Sequence, residues 1–263
     1  MTVRHIWIFG AIWVVLTAIA EWALSSYIAS DPFYSVEGVQ AHIALDAFDF
    51  LLRLVVPVGT FVTVFILYSI LRFRADRSSQ QDSPHQFRYN PAFTWSWVGV
   101  SIALNLLFVI HPGITGLQQL WASAAHAQAS SEVDVEVSAS QWEWQFSYPQ
   151  YGLEDVVNQD GQDELVLPEG KTVKFTLESE DVVHGFWIPA LGQKKDVIPG
   201  MTRTIYFTPT VADDTSHNPM MRVQCTVICG AGHPYMEADV RVLPQAQFDA
   251  WVQQQKKLSA SGS

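Results

Sequence analysis

The sequence predicts a membrane-anchored all-β protein: three transmembrane helices followed by a Greek-key β-sandwich. Three observations carry that prediction. The first 121 of the 263 residues hold three long apolar runs. The remainder is charged and broken by turn residues at short intervals. The charge is divided in the same way: from Ala122 onward there are 19 Asp and Glu against 9 Lys and Arg, whereas the first 121 residues carry 7 acids against 6 bases. Nearly all of the net −11 therefore sits on the C-terminal part. Such a surface repels nucleic acid, whose phosphates need cationic side chains. It attracts a cationic partner over long range.

The apolar runs extend from about Ile6 to Ile28, Phe50 to Leu71 and Phe93 to Ile110, the last closing at His111-Pro112-Gly113. Each approaches or exceeds the length a helix needs to cross a ~30 Å hydrocarbon core. Pro57 and Gly59 are tolerable inside such a helix, because neighbouring groups can satisfy the freed backbone. Trp7, Trp13, Trp22, Trp95 and Trp97 suit the interfacial belts. The connection between runs two and three holds Arg72, Arg74, Arg77 and Arg88, while that between runs one and two holds no Lys or Arg. The positive-inside rule then makes the basic connection cytoplasmic and the C-terminal domain external. Glu21 and Arg53 lie near the ends of their runs, where long side chains reach the headgroups cheaply. A signal peptide ending near Ala29-Ser30 is the competing reading of run one, and it too leaves the C-terminal domain outside.

Residues 1–121 are thus expected to form the anchor, 122–131 an Ala/Ser/Gln-rich linker, 132–243 the β domain and 244–263 a C-terminal helix and tail. Glu132-Val133-Asp134-Val135-Glu136-Val137 alternates as a half-buried strand does. Further strands are expected over 142–148, 171–177, 183–188, 203–207, 221–225 and 237–243. Between them stand Asp160-Gly161, Pro168-Glu169-Gly170, Pro199-Gly200 and Asn218-Pro219. Seven short strands with that punctuation argue a sandwich or barrel. Phe248, Trp251 and Val252 give the tail a helical stripe.

The chemistry gathers in Cys225-Thr226-Val227-Ile228-Cys229-Gly230-Ala231-Gly232-His233-Pro234-Tyr235-Met236, which contains both cysteines of the chain. His184 is a further candidate ligand, about forty residues upstream. Thiolates and a thioether are soft and imidazole is borderline, so this donor set suits copper rather than magnesium or calcium. One Cys with two His and a distant Met would suit a mononuclear blue copper site. Two cysteines four apart can turn both sulfurs to one point and bridge two coppers, with one imidazole and one weaker ligand on each. Gly230 and Gly232 allow the chain to turn tightly there. A disulfide is the alternative for two cysteines in an oxidising compartment, and a Cys2His2 zinc site is another. His5, His42, His85, His111, His126 and His217 lack thiol neighbours and are assigned to no metal.

C-x3-C-G-x-x-H-x-x-M, preceded by Asp181-Val182-Val183-His184-Gly185-Phe186-Trp187-Ile188-Pro189, resembles the CuA domain of subunit II of haem–copper oxidases, a family of cytochrome c oxidase type. Gln141-Trp142-Glu143-Trp144 is similar to that family's aromatic strand. The resemblance covers about residues 132–243 and implies a cupredoxin-like sandwich holding a dinuclear copper centre. It implies bridging thiolates from Cys225 and Cys229, His184 with Met236 on one copper, and His233 with the Val227 carbonyl on the other. Trp142 would receive the electron from cytochrome c or a small copper protein. Haem and a further copper would belong to a partner, subunit I, in a bacterial or archaeal-type cell membrane. The chain would then be the electron-transfer subunit of an oxygen-reducing oxidoreductase, with oxygen chemistry in the partner. Three departures stand out. Val227 replaces the family's usual magnesium-binding Glu, no acid lies in Asn90–Trp95 to feed a proton channel, and three apolar runs exceed the usual two. A CuA-bearing nitric oxide reductase shares the architecture, and copper storage or delivery is a reading of a different class. Nitrous oxide reductase carries the same type of centre, but its large catalytic domain has no counterpart in these residues. Lys194, Lys195 and Asp196 are either contacts to subunit I or solvated loop charges.

Overall fold

The computed structural model describes residues 3–30, 36–74, 90–158 and 160–261. Arg77, His85 and Arg88 lie outside the described residues, as does most of the connection between the second and third apolar runs. The chain divides into two compact units, Met1–Ser30 with Asp46–Leu117, and Asp31–Leu45 with Gln118–Ser263.

The first unit is built from helices. α1 spans Val3–Ser30, α2 spans Val39–Arg72, and α3 spans Pro91–Phe108. Asn90 caps α3 by accepting the Phe93 N–H at 3.1 Å, with Pro91 at the first helical position. Beyond Phe108 the chain passes through a kinked turn, Val109–Ile114, where His111 is extended (φ −136°, ψ 121°). The residue before a proline is pushed out of the helical region, which places the break at His111-Pro112. Among the described residues three helices, the third counted across this kink as Pro91–Ser130, are long and apolar enough to cross a membrane. Their outward side chains, such as Ile6, Val15, Ile66, Leu71 and Ile102, are exposed, which suits a hydrocarbon surround.

α1 and α2 pack through polar and aromatic contacts together. The Trp13 indole donates to the Pro57 carbonyl at 2.9 Å, and the Thr17 and Thr60 hydroxyls meet at 2.7 Å. Phe9 and Trp13 both meet Phe61 edge-on. Arg53, near the end of its run, pairs with Asp49 at 2.8 Å and Glu21 at 3.7 Å and donates to the Ser25 hydroxyl. An intramembrane charge finds partners because an unpaired one is costly there.

The second unit holds the β domain. β1 (Val133–Ser140), β2 (Glu143–Ser147), β4 (Val173–Ser179) and β7 (Arg203–Phe207) form one sheet in the order β2-β1-β4-β7. β3 (Glu164–Pro168), β5 (His184–Trp187), β6 (Lys194–Val197), β8 (Arg222–Cys225) and β9 (Glu237–Leu243) form the other, in the order β3-β9-β8-β5-β6. Both sheets are mixed: β1 runs parallel to β4 and β3 parallel to β9, while the other pairs are antiparallel. The result is a two-sheet sandwich, as the strand and turn pattern predicts, and it is consistent with the cupredoxin-like fold that the resemblance implies. β1 alternates as expected, with Val133, Val135, Val137 and Ala139 buried. Trp144, Phe146, Phe175, Phe186 and Phe207 are fully buried and supply much of the driving force.

Two strands are additional to the seven that the turn signals predict. In β3, Leu165, Val166 and Leu167 are all buried, so no alternation marks it. β6 is a charged edge strand, and Lys194, Lys195 and Asp196 stand in it, paired with β5. The expected linker at 122–131 is a correction: α4 runs over Thr115–Ser130. Its alanines (Ala122, Ala124, Ala125, Ala127 and Ala129) are the strongest helix formers, and they prevail over the linker-like composition. α2 also begins well before the expected residue 50, at Val39. The tail forms α5, Gln245–Ser261, burying Phe248, Trp251 and Val252.

Candidate metal centre

The site starts from strand register. In the β5–β8 pair, Cys225 stands opposite Phe186. His184 lies two residues before Phe186, on the same face of β5. It is therefore the diagonal neighbour of Cys225, at the distance where side chains across a sheet meet. The His184 Nδ1 lies 4.0 Å from the Cys225 Sγ.

β8 ends at Cys225, and the chain turns across the end of β5. The Thr226 N–H donates to the Gly185 carbonyl at 3.0 Å. A Cβ on Gly185 would collide with the Thr226 hydroxyl, so close passage of this loop needs a glycine there. Gly230 has φ +121°, a conformation that favours glycine. The chain returns through a short turn, His233–Tyr235, to Met236. The Met236 carbonyl accepts from the Cys225 N–H at 3.1 Å and from the buried Trp144 indole at 3.3 Å. The beginning and end of the loop are thus fastened to each other and to β2.

This path brings together every donor that the sequence singles out. The Cys225 and Cys229 sulfurs lie 3.8 Å apart as free thiols. A disulfide would need about 2.05 Å. Cys229 Sγ lies 3.6 Å from His233 Nδ1 and 3.8 Å from Met236 Sδ. Cys225 Sγ lies 3.2 Å from the Val227 carbonyl oxygen. The ligand atoms of His184, Cys225 and Cys229 all fall within 4.8 Å of one another. Donors about 2.0–2.3 Å from a shared metal stand roughly 3.5–4 Å apart in tetrahedral geometry, so these separations fit a metal cage closely. The buried thioether of Met236 fits copper better than zinc. His217, by contrast, is an exposed side chain bonded to Asp213.

Three residues that the sequence did not single out as site groups hold the ligands in place. Asp181 accepts from His184 Nε2 at 2.8 Å and from the Gln141 and Val182 N–H groups. Burial pushes its carboxyl up, but these bonds outweigh burial and leave it below the usual carboxylate range. The Gln141 amide donates to the Cys229 carbonyl at 2.6 Å. Trp144 meets the His184 ring edge-on at 6.1 Å. A signal for Asp181 was present, since an acid in the turn three residues before a histidine that opens a strand can fold back to its ring. Burial, followed by the neighbouring Cys225 thiol, pushes the Cys229 thiol up to about 11.

Trp142 is 40% exposed and lies on the loop. Its indole donates to the Cys229 carbonyl at 3.2 Å. A Cβ on Gly232 would fall 2.4 Å from its ring, so the indole rests flush against that glycine. Ile228 and Tyr235, between the ligands, are 86% and 84% exposed.

Residues 133–243 match the family model for the periplasmic domain of cytochrome c oxidase subunit II. The match spans the whole β sandwich. Similar proteins include cytochrome c oxidase subunit 2 of Alkalihalophilus pseudofirmus, 29% identical over 82% of this chain and 60% of that one. Cytochrome c oxidase subunit 2 of Bacillus subtilis is 26% identical over 75% of this chain and 55% of that one. The chain thus spans a little over half the length of these relatives. Among solved structures, the periplasmic domain of subunit II of cytochrome oxidase (CoxB) of Bradyrhizobium japonicum is 28% identical, covering 48% of this chain and 95% of that one with a TM-score of 0.42. The sandwich matches the periplasmic domain of that family over residues 133–243, and its His–Cys–Cys cluster is compatible with a copper centre.

Proposed function

We propose that this chain is the electron-receiving subunit of a membrane-bound haem–copper oxidase. It takes electrons from a cationic donor, cytochrome c or a small copper protein, and passes them to haem in a partner subunit where oxygen is reduced to water. The observation that carries the reading is the pair of free thiols 3.8 Å apart with an imidazole nitrogen beside each. A dinuclear copper centre, when bound, supplies reversible one-electron chemistry with its charge shared over two ions. Cys225 and Cys229 would bridge the ions. His184 with Met236 would complete one of them, and His233 with the Val227 carbonyl the other. The Met236 thioether adjoins Cys229, as a ligand of either ion can when both thiolates are shared.

The protein's own contribution is positioning and burial. His184 is fully buried and Met236 is fully buried, so water is kept from the donors. The bonds from Asp181, Gln141 and Trp144 limit movement of the ligands between redox states, which favours fast transfer. Trp142 joins the surface to the Cys229 carbonyl and supports a short path inward. The acidic C-terminal part supports a cationic donor, and the family model's periplasmic description supports an external location.

The test is electron paramagnetic resonance on the copper-loaded full chain in detergent, with metal analysis. Two coppers per chain and one unpaired electron shared equally between them are expected. A single copper with a localised electron, or zinc, would sink the proposal. Oxygen consumption by the purified complex, driven by reduced cytochrome c and slowed by salt, then tests the direction of electron flow.

A further inference from the structure

The second unit contains a buried acid that the metal centre does not use. Glu37 is 5% exposed. The stretch around it is fastened to the β domain: the Glu37 N–H donates to the Ala190 carbonyl at 2.8 Å, and the Thr210 N–H donates to the Glu37 carbonyl at 2.7 Å. Gly38 bridges Pro209. One side-chain oxygen of Glu37 accepts from the Asn218 amide at 2.6 Å. Asn218 is itself buried, and its own oxygen accepts the Met220 N–H. The other oxygen, Oε2, is buried and meets no donor among the described residues. What lies within hydrogen-bonding reach of Glu37 is a second carboxyl, Asp213.

Two carboxylates cannot share a buried contact while both are charged. Asp213 has compensation of its own, from the Asp214 N–H at 2.9 Å and His217 Nδ1 at 2.8 Å. Glu37 has only the neutral Asn218 amide. The groups that act electrostatically on Glu37 are Asp213 and His217, both from the loop between β7 and β8. Gln40, one turn on, spends its amide on Ser123.

We infer that Glu37 holds a proton and donates it to Asp213, and that this shared proton fastens residues 36–38 to the loop preceding β8. Glu37 is then a neutral acid and Asp213 the carboxylate. The electrostatics agree: burial, then Asp213, pushes Glu37 up to about 7, although the Asn218 bond pulls the other way. Burial pushes Asp213 up as well, but its hydrogen bonds, including the one from Glu37, outweigh this and leave it low. Freed from the fold, Glu37 would titrate at 4.5. The fastened state therefore binds a proton that the released state has lost between pH 4.5 and 7. Fastening weakens as pH rises through that window and is level above it.

Amide hydrogen exchange of the full chain in detergent tests this, read on peptides covering 36–45 and 205–218 and corrected for intrinsic rates. Wild-type protection is expected to fall by up to about tenfold per pH unit between pH 5 and 7, then to stay level. Glu37→Gln carries a permanent N–H donor, so its protection should be high and independent of pH. Asp213→Asn should make the slope shallower, leaving only the part that burial causes, and it decides the matter if Glu37→Gln does not fold. His217→Gln should retain the slope. A flat wild-type profile, or a slope that survives in Glu37→Gln or vanishes in His217→Gln, overturns the inference. So does a gain in protection at pH 8 on adding magnesium or calcium, which would make the shared cation a metal.

Discussion

Asp181 turns His184 toward the thiols. The carboxylate accepts from His184 Nε2 at 2.8 Å, and the opposite ring nitrogen, Nδ1, lies 4.0 Å from the Cys225 sulfur. Because Asp181 is held ionised, Nε2 carries the proton and Nδ1 keeps its lone pair for a metal. A single contact thereby sets the tautomer, the ring orientation and the basicity of the ligand.

Asp181→Asn should keep the shape but remove the charge. Copper affinity is expected to fall by about 10- to 100-fold, the usual effect of losing such a partner. Titration against a competing chelator measures this. An unchanged affinity would mean that strand packing alone orients His184.

Met236 is fully buried and its Sδ faces Cys229 at 3.8 Å. Met236→Leu nearly conserves volume, so the fold should survive, at a cost below about 1.5 kcal/mol. Two coppers should still bind, because the thiolates and imidazoles remain. The reduction potential should rise, since the oxidised ions lose an electron-donating ligand. Equilibrium titration followed by absorbance reads the potential. A wild-type value would remove Met236 from the ligand set.

How far these features were legible follows the kind of signal each residue gives. β1 was readable because its valines alternate, and α5 because Phe248, Trp251 and Val252 share a stripe. β3 was hidden because Leu165, Val166 and Leu167 are all buried, and α4 because its alanines stand among serines and glutamines. Cys225, Cys229, His233 and Met236 announce themselves by spacing. His184 is distant in sequence and joins them only through the register of β5 on β8. Gln141 and Trp144 act through backbone carbonyls of the loop, an interaction that leaves no pattern in residue types. Glu37 was invisible for a related reason: its burial depends on backbone pairing with residues 190 and 210, far along the chain.

Copper uptake should release protons. The Cys229 thiol, pushed up to about 11 by burial and by Cys225, is protonated in the metal-free protein at neutral pH. A thiolate ligand must lose that proton on binding. Apparent affinity should therefore rise with pH between 6 and 9. Calorimetry in buffers of different ionisation enthalpy counts the protons. A count of zero at pH 7 would show that the thiol is already ionised before metal arrives.

Gly232→Ala separates the metal centre from the path that feeds it. The backbone at Gly232 is ordinary, with φ −88°, so the substitution brings no backbone strain. Its only consequence is steric: the new methyl would fall 2.4 Å from the Trp142 ring, inside any normal carbon contact. The indole must move off the loop, losing its bond to the Cys229 carbonyl. Overpacking of this kind costs about 1–3 kcal/mol, and Trp142 is partly exposed, so it can yield outward. The loop that carries the ligating side chains on either side of Gly232 stays in place, its Cys229 and Met236 carbonyls held by Gln141 and Trp144. Copper content and the resonance spectrum should therefore be unchanged. Reduction by cytochrome c in stopped flow should slow by about tenfold or more, because the short path from the surface is opened. Tryptophan fluorescence confirms whether the ring has moved. If it moves and the rate does not change, the electron reaches the coppers by another route, and the exposed Tyr235 and Ile228 edge becomes the place to look.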